Sequence, residues 1–264
     1  MSALEGKVAI VSGAAQGLGT GFAQALSEAG ANVLMFDVQP VVVDLAAEIA
    51  QSTGNAVKGV VADVSQREDV EQLMADVQDT FGGLDILVNN AGTWKRTLVD
   101  SSWEQTLDDW DTIMDTNLKG LLMISRASIP LLRARGGGDI INISTYYVLP
   151  AKSEGTNPPD TDLYNASKWA INGFTDAWAK YFAKDNIRVN GLCMGATDTP
   201  MLRGLFPDKQ LPPDMAAVVM QPSQIAQQML DVMADGRSGE NIGAWVGEPV
   251  VVAPPAAANR KVSG

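Results

Sequence analysis

Short apolar runs alternate with helical stretches along this chain, and the alternation restricts the fold more than any other feature. The runs are rich in Val, Ile and Leu and have the length of buried strands; we place them at residues 8–11, 32–36, 56–62, 84–88, 139–143, 187–193 and 245–252. Helical spacing of apolar residues lies between them, at 22–29, 41–52, 67–81, 110–128, 164–183 and 222–233. This pattern predicts an α/β fold: a doubly wound parallel sheet of about seven strands with helices on both faces.

The length of the chain suits one domain around such a sheet. It has 264 residues, of which 46% are apolar, enough for one sizeable core. We therefore interpret residues 1–264 as a single domain. The proline-containing segment 200–221 is predicted to be a substrate flap, and residues 254–264 a tail that is either unpacked or docked at an interface.

Composition excludes several classes of function. The chain has no histidine, which removes Ser-His-Asp catalysis and histidine metal sites. Cys193 is the only cysteine, so neither an internal disulfide nor a Cys-rich zinc site can form, and we expect no metal. The net charge of −12 argues against a nucleic-acid partner. Neither a signal peptide nor an apolar run of ~18 residues is evident, so we expect a cytoplasmic protein without a membrane span.

A glycine-rich turn follows the first apolar run. It reads Ser-Gly-Ala-Ala-Gln-Gly-Leu-Gly over residues 12–19 and leads directly into a helical pattern. Glycines let the backbone approach a ligand closely, and the free N–H groups at the start of a helix favour a pyrophosphate. The alternative is a plain turn. The position of the glycine-rich stretch between a strand and a helix favours nucleotide binding over that alternative.

Asp37 ends the second apolar run. A carboxylate at this place suits the adenosine ribose hydroxyls and would repel a 2′-phosphate. No Lys or Arg stands at positions 16, 38 or 39 to attract such a phosphate, so the sequence favours NAD over NADP. The alternative is that Asp37 only begins a turn before Pro40.

Polar or glycine residues also follow other apolar runs, and all of them would meet at one edge of the predicted sheet: Gly13, Asp37, Asp63, Asn89 and Ser144.

Tyr164 and Lys168 are four residues apart in a predicted helix and therefore share one face. A nearby ammonium lowers the pKa of a phenol and makes it useful as an acid or base. The alternative is ordinary packing beside a solvated charge. Asn117 lies in another helical pattern, where an amide is costly unless bonded; it either faces solvent or bonds a specific group.

Together these motifs resemble the short-chain dehydrogenase/reductase family. Residues 12–19 are similar to its glycine motif, residues 89–92 (Asn-Asn-Ala-Gly) to its structural motif, and a set of four residues to its catalytic tetrad: Asn117, Ser144, Tyr164 and Lys168. The resemblance implies a Rossmann-type domain and an alcohol–carbonyl interconversion with NAD or, less favoured, NADP. It also implies a homodimer or homotetramer formed through two long helices.

The resemblance further implies roles for individual residues. Tyr164 would be the general acid/base, Ser144 would orient the substrate oxygen, and Lys168 would hold the nicotinamide ribose. Asn117 would fix a water that connects Lys168 to solvent. The implied coenzyme contacts are Gly13, Gln16, Gly17, Leu18, Gly19, Asp37, Asp63, Val64, Asn90, Ala91, Gly92, Tyr164, Lys168, Thr197 and Thr199.

Three features depart from the family pattern. The separation of Ser144 from Tyr164 is longer than usual, so residues 152–161 are expected to bulge beside the substrate, and Ser153 is an alternative to Ser144 although it follows no strand. Met194-Gly195 replaces the usual Pro-Gly, and residues 246–248 replace the usual Asp-Gly-Gly. We expect an apolar substrate pocket formed by Trp94, Tyr146, Tyr147, Met194 and Leu205.

The leading functional hypothesis is an NAD-dependent dehydrogenase that interconverts a secondary alcohol, alicyclic or aromatic, and its ketone. The alternatives are an NADPH-dependent ketone reductase and a dinucleotide-binding sensor or scaffold without turnover. The sensor is less favoured because a chain without catalysis has no physical need for all four residues of the tetrad.

Overall fold

Seven strands build the centre of the protein. The computed structural model describes residues 3–149 and 158–252. Its strands are β1 (Val8–Ser12), β2 (Asn32–Asp37), β3 (Val57–Val61), β4 (Ile86–Asn89), β5 (Gly138–Thr145), β6 (Ile187–Met194) and β7 (Asn241–Ala244). They form one sheet in the order β3-β2-β1-β4-β5-β6-β7, and every neighbouring pair is parallel. The predicted α/β class and doubly wound parallel sheet are confirmed.

Helices cover both faces of the sheet. The main ones are α1 (Gly17–Glu28), α2 (Val41–Thr53), α3 (Arg67–Phe81), α4 (Trp103–Met114), α5 (Leu121–Ala134), α6 (Asp162–Phe182) and α7 (Pro222–Ala234). A π-helix, Asp115–Gly120, joins α4 to α5. None of the helices within the described ranges is both long and apolar enough to cross a bilayer.

Side chains alternate between two cores, one on each face. Ala9 and Val11 of β1 pack in the core that includes residues of α1, α2 and α7, whereas Val8 and Ile10 pack in the core shared with α3, α5 and α6. Burial on both faces explains why these strands are continuous apolar runs rather than alternating ones. Four strands, β1, β2, β4 and β5, end in polar residues, and their carboxyl ends lie at one edge of the sheet.

The last strand lies where the sequence prediction did not place it. Residues 245–252, predicted as a strand, form none; the strand is Asn241–Ala244 and pairs with β6. Gly247 has a positive φ of 78°, and Pro249 lacks the N–H that a ladder needs. The run still contributes to burial, since Val250 and Val252 pack on the first core.

Helix boundaries differ from the predictions at two places. The polar stretch before residue 110 already contains the start of α4, because the Ser102 hydroxyl accepts a bond from the Gln105 N–H at 3.2 Å and caps the helix. The helix predicted from residue 164 begins at Asp162. Segment 200–221 contains two one-turn helices, Pro200–Arg203 and Pro213–Ala216. The predicted tail and residues 152–157 of the expected bulge lie outside the described ranges.

Asp85 joins three parts of the chain at the sheet edge opposite the polar strand ends. Its buried carboxylate accepts bonds from the Lys7 ammonium (2.9 Å), the Val8 N–H (3.0 Å) and the Arg135 guanidinium (2.9 Å). Burial raises the pKa of Asp85, but the bonds from Arg135 and Lys7 outweigh it and hold the pKa below its ordinary value. The ionised carboxylate therefore stabilises the fold.

We expect Asp85→Ala to lower the free energy of unfolding near neutral pH by about 2–4 kcal/mol, because it breaks a buried, hydrogen-bonded pair. Urea denaturation measures the change, and Glu71→Ala, which removes an exposed carboxylate paired with Arg67, is the control. The difference should shrink as pH falls through the lowered pKa, since both proteins then lack the charge. Equal losses in the two variants would contradict the assignment.

Candidate active site

The glycine turn between β1 and α1 passes unusually close to the end of β4. Gly13 has a φ of 62°, and a Cβ on it would lie 2.7 Å from the Cα of Ala91. A Cβ on Gly19 would lie 2.1 Å from the Gly13 carbonyl oxygen. No larger side chain fits either position without moving the backbone. The turn therefore keeps its backbone exposed at the start of α1, which begins at Gly17.

Asn90 and Ser12 hold this turn in place. The Asn90 side-chain amide donates to the carbonyl oxygens of Ser12 and Gly13, each at 2.9 Å. The Ser12 hydroxyl accepts from the N–H groups of Asn90 and Ala91, also at 2.9 Å. Asn90 thus locks the neighbouring glycine turn to the end of β4. Asn89 is buried and bonds Ser125 and Asn142 instead.

A cavity of about 410 Å³ opens beside the turn, at the carboxyl ends of β1, β2, β3 and β4. Most of the residues that the family resemblance assigned to a coenzyme line it: Gly13, Gln16, Gly17, Leu18, Asp37, Asp63, Val64, Asn90, Ala91, Gly92 and Thr199. Gly19 lies beneath the turn rather than on the cavity wall. Among the described residues of the lining there is no Lys and no Arg.

Asp37 is nearly buried on this cavity's wall. One carboxylate oxygen accepts from the Ala15 N–H at 3.1 Å, and the other accepts from the Gln39 N–H at 2.9 Å. The carboxylate therefore ties the end of β2 to the glycine turn. Each oxygen retains a further lone pair for a ligand.

A second cavity of about 210 Å³ adjoins the first, since Leu18, Asn90 and Gly92 line both. Three residues of the tetrad, Ser144, Tyr164 and Lys168, line it together with Thr197. All five residues of the predicted substrate pocket also line it: Trp94, Tyr146, Tyr147, Met194 and Leu205.

Asn117 is set behind the second cavity rather than on its wall. It lies in the π-helix and is buried, and its amide bonds both the N–H and the carbonyl of Thr93, at 2.7 and 3.0 Å. The amide also donates to the Ser167 hydroxyl at 3.1 Å. A Cβ on Gly92 would lie 3.3 Å from Asn117 Oδ1 and 3.6 Å from Lys168 Nζ, so the two side chains converge on that glycine. Of the two interpretations, the bonded asparagine is correct.

Tyr164 and Lys168 share one face of α6, as their spacing predicts. The Lys168 ammonium lies over the Tyr164 ring, 5.7 Å from its centroid, and donates to the Ile143 carbonyl at 3.0 Å. Burial raises the pKa of Tyr164 to about 12 and lowers the pKa of Lys168 to about 8. The expected lowering of the phenol pKa by this lysine is therefore wrong here, because the ammonium is aimed at a carbonyl and burial dominates both groups.

Ser144 lies in β5 and turns its hydroxyl towards α6. The hydroxyl donates to the Lys168 carbonyl at 3.4 Å, the outer limit of a hydrogen bond. Cys193 is the buried neighbour of Ser144, and burial raises the pKa of its thiol to about 12. Ser153, the alternative to Ser144, lies outside the described residues.

Comparison with known proteins settles the class to which this arrangement belongs. Residues 7–210 match the short chain dehydrogenase family. The chain belongs to this family. The 3-oxoacyl-(acyl-carrier-protein) reductase of Thermotoga maritima is 31% identical over 247 residues, which cover 91% of this chain and 96% of that protein. An uncharacterized oxidoreductase of Staphylococcus epidermidis is 33% identical over 205 residues, 77% of this chain and 84% of that one.

A solved structure agrees with the sequence matches. It is a Sinorhizobium meliloti protein described as a candidate short-chain alcohol dehydrogenase, with a TM-score of 0.79 and 30% identity over 91% of this chain and 95% of that one. The family resemblance predicted from the motifs is thus confirmed. This short-chain dehydrogenase is an oxidoreductase of a family that uses NAD(P) coenzymes.

Sequence reasoning missed several residues of the second cavity. Met201 and Leu202 line it from the one-turn helix after Thr199. The sequence signal for this short helix was Thr199 followed by Pro200, a capping residue before a proline at the first helical position. In the structure the Thr199 hydroxyl accepts a bond from the Leu202 N–H at 3.3 Å. Trp245, predicted as part of a strand, instead packs edge-on against Tyr146, with ring centroids 5.9 Å apart. Only the fold reveals that contact.

Lys168 carries a stability cost that its replacement should remove. At neutral pH the folded dehydrogenase holds a buried ammonium whose pKa is lowered to about 8. We expect Lys168→Met to raise the free energy of unfolding near pH 7 by about 1–2 kcal/mol, because an uncharged side chain of similar length needs no desolvation. Urea denaturation measures this, with the exposed Lys180→Met as the matched control.

The pH dependence of this difference follows from linkage. Between the folded pKa of about 8 and the ordinary value of 10.5, the unfolded wild type binds more protons than the folded form, so wild-type stability rises with pH. The advantage of Lys168→Met should therefore shrink over that interval. A loss of stability in Lys168→Met that is the same at every pH would contradict a buried, destabilised ammonium.

Proposed function

We propose that this dehydrogenase interconverts a secondary alcohol and its ketone with NAD as the coenzyme. The observation that carries the proposal is the pair of adjoining cavities: one has a bare glycine turn and a carboxylate, and the other has a phenol and a lysine among apolar walls. Such a crevice at the carboxyl ends of parallel strands is where dinucleotides bind in doubly wound sheets.

The residues of the first cavity fit the adenosine and pyrophosphate parts of the coenzyme. The turn at Gly13 and Gly17 leaves the space that a Cβ would fill and exposes N–H groups at the start of α1, which favour a pyrophosphate. Asp37 would accept bonds from the ribose hydroxyls, and Asp63 and Val64 would lie against the adenine. Thr197, Thr199 and Lys168 would hold the nicotinamide end. When bound, the coenzyme accepts or supplies the hydride.

The tetrad moves the proton. In alcohol oxidation, ionised Tyr164 would accept the hydroxyl proton of the substrate, and in ketone reduction neutral Tyr164 would donate a proton to the carbonyl oxygen. Ser144 exchanges its long bond to the Lys168 carbonyl for one to the reacting oxygen. Lys168 lends positive charge near the phenol, and Asn117 fixes the backbone of Thr93 behind it. Neutral Tyr164 is ready to protonate a ketone at neutral pH, since burial raises its pKa to about 12.

The substrate cavity favours a small, mostly apolar molecule. Its volume of about 210 Å³ is below the ~300–1,000 Å³ typical of sites for drug-sized ligands. Trp94, Met194 and Leu205 contribute apolar walls. This supports a monocyclic alicyclic or aromatic alcohol, over which segment 200–221 acts as a flap through Met201, Leu202 and Leu205.

Self-association is part of the proposal. One face of α4 exposes Trp103, Leu107 and Trp110 at helical spacing, and Trp103 is 80% exposed. On α6, Trp169 and Tyr181 are exposed as well. Apolar faces of this kind support a homodimer or homotetramer formed through the two long helical regions. We place the assembly in the cytoplasm.

An NADPH-dependent ketone reductase is the second candidate. The Thermotoga relative is named as a reductase, and the neutral phenol of Tyr164 suits reduction. The carboxylate of Asp37 and the lack of Lys and Arg among the described lining residues of the first cavity favour NAD instead. The two candidates share one mechanism and differ in coenzyme and direction.

Removing the phenol hydroxyl tests the proton transfer. We expect Tyr164→Phe to lower kcat/KM for alcohol oxidation by roughly 100-fold or more, because the acid/base group is lost. In the wild type, kcat/KM for oxidation should rise between about pH 6 and about pH 9, since the reactive phenolate grows while pH stays below its pKa. Initial rates of NAD reduction, read by absorbance, measure both quantities.

The control for this experiment is Tyr181→Phe, which removes an exposed hydroxyl from the same helix and should keep wild-type rates. Circular dichroism and thermal unfolding show whether both variants are folded. Wild-type turnover by folded Tyr164→Phe would contradict the proposal that Tyr164 is the acid/base group. A flat pH profile for oxidation would show that another group takes the proton.

Replacing the carboxylate at the end of β2 tests the coenzyme preference. We expect Asp37→Ala to weaken NAD binding roughly tenfold, through loss of charge-assisted bonds to the ribose. NADP binding should stay equal or improve, because repulsion of the 2′-phosphate is removed. Calorimetry gives both dissociation constants, and Asp44→Ala, an exposed carboxylate on α2, controls for net charge. A wild type that prefers NADP would overturn the NAD assignment.

A further inference from the structure

The substrate cavity contains more phenol groups than the proposed reaction uses. Tyr146, Tyr147 and Tyr164 all line it. Acid/base catalysis needs one phenol, and Ser144 supplies a second hydroxyl to the reacting oxygen. Tyr146 and Tyr147 therefore have no part in the transfer of hydride or proton, yet both line a cavity whose other walls are largely apolar.

The two extra tyrosines are held firmly. They form a short 3-10 turn, Tyr146–Val148, directly after β5. Val148 is buried, and its carbonyl accepts a bond from the Asn172 side chain on α6 at 3.2 Å. A turn anchored to α6 in this way keeps its side chains at a fixed distance from Tyr164, which lies on the same helix.

Tyr146 packs against Tyr147 and supports it. Their ring centroids are 4.5 Å apart, and Trp245 packs edge-on against Tyr146 in turn. Gly195 makes the room for this ring, because a Cβ there would lie 3.3 Å from Tyr146 Cδ1. Gly195 belongs to the Met-Gly pair that replaces the family's usual Pro-Gly. It borders the ring of Tyr146, which contacts both Tyr147 and Trp245.

The hydroxyl of Tyr147 is neutral and close to the catalytic phenol. Burial, followed by the neighbouring hydroxyl of Tyr146 and then that of Tyr164, raises the pKa of Tyr147 above its ordinary value. Tyr147 therefore acts as a hydrogen-bonding hydroxyl and not as an anion throughout the working pH range. Tyr147 packs against Tyr146 and lines the same cavity as Tyr164.

We infer that Tyr147 is a specificity-determining residue that binds a second oxygen of the substrate, a hydroxyl or carbonyl on a carbon near the reacting one. This rests on the proposed function: Tyr164 acts on the first oxygen while Tyr147 bonds the second. The substrate class is therefore a small ring or chain with two neighbouring oxygen functions, such as a diol, a hydroxyketone or a diketone. A site built to bond a substrate hydroxyl discriminates strongly against the analogue that lacks it.

A pair of probe alcohols tests this inference. Cyclohexanol and its vicinal diols differ only in the second oxygen, and kcat/KM for each is measured with NAD. We expect the wild type to prefer the diol, and Tyr147→Phe to shift the diol-to-cyclohexanol ratio by roughly tenfold towards cyclohexanol, as loss of one hydrogen bond predicts. Tyr181→Phe should leave the ratio unchanged. The ratio is taken within one sample, so partial misfolding of a variant cancels.

The outcomes separate this inference from the proposed function. The same ratio in wild type and Tyr147→Phe overturns the inference and leaves alcohol oxidation standing. If neither cyclohexanol nor the diol is oxidised, calorimetry measures the binding of each compound to the NAD-loaded protein. Tighter binding of the diol that Tyr147→Phe abolishes supports the second-oxygen site, although the proposed reaction is then rejected. Equal binding of the two rings to the wild type overturns the inference.

Discussion

One side-chain amide holds the glycine turn against the end of β4. Asn90, at the end of β4, bonds the carbonyls of Ser12 and Gly13, while the Ser12 hydroxyl bonds back to the N–H groups of Asn90 and Ala91. These bonds keep the glycine turn pressed against the next strand of the sheet, at a separation that excludes any Cβ on Gly13. The exposed start of α1, and the cavity in front of it, depend on that close approach.

The second half of the crevice is organised by burial rather than by charge. Lys168 directs its ammonium to the Ile143 carbonyl, and Asn117 bonds the backbone of Thr93. Burial moves the pKa of Lys168 down and that of Tyr164 up. Burial thus keeps the phenol of Tyr164 protonated near neutral pH. The buried ammonium of Lys168 lowers the stability of the folded protein. Such a loss is usual where a site must hold a charge away from water.

Much of this arrangement was predictable from local pattern. The buried strands are continuous apolar runs, so six of the seven were placed within a few residues, and the glycine turn, Asp37 and the Tyr164–Lys168 pair follow from spacing alone. The seventh strand was misplaced because Gly243 and Asn241 give it no apolar pattern, whereas the apolar run after it contains Gly247 and Pro249. The early start of α4 was missed because the cap at Ser102 was not recognised.

The remainder depends on tertiary contacts that no local pattern encodes. The π-helix that carries Asn117, the order of the strands and the edge-on contact of Trp245 with Tyr146 arise only when distant segments meet. The pKa of Tyr164 was misjudged for the same reason: spacing placed Lys168 on the correct face, but the Ile143 carbonyl that engages its ammonium comes from β5.

The central claim is that this crevice transfers a hydride between a secondary alcohol and a nicotinamide. The most direct measurement uses a secondary alcohol deuterated at its carbinol carbon, incubated with the wild-type protein and NAD and followed by NMR. The account predicts that deuterium appears at the nicotinamide ring of the reduced coenzyme as the ketone accumulates. Tight NAD binding without any transfer of label, across a panel of small cyclic and aromatic alcohols, would contradict it.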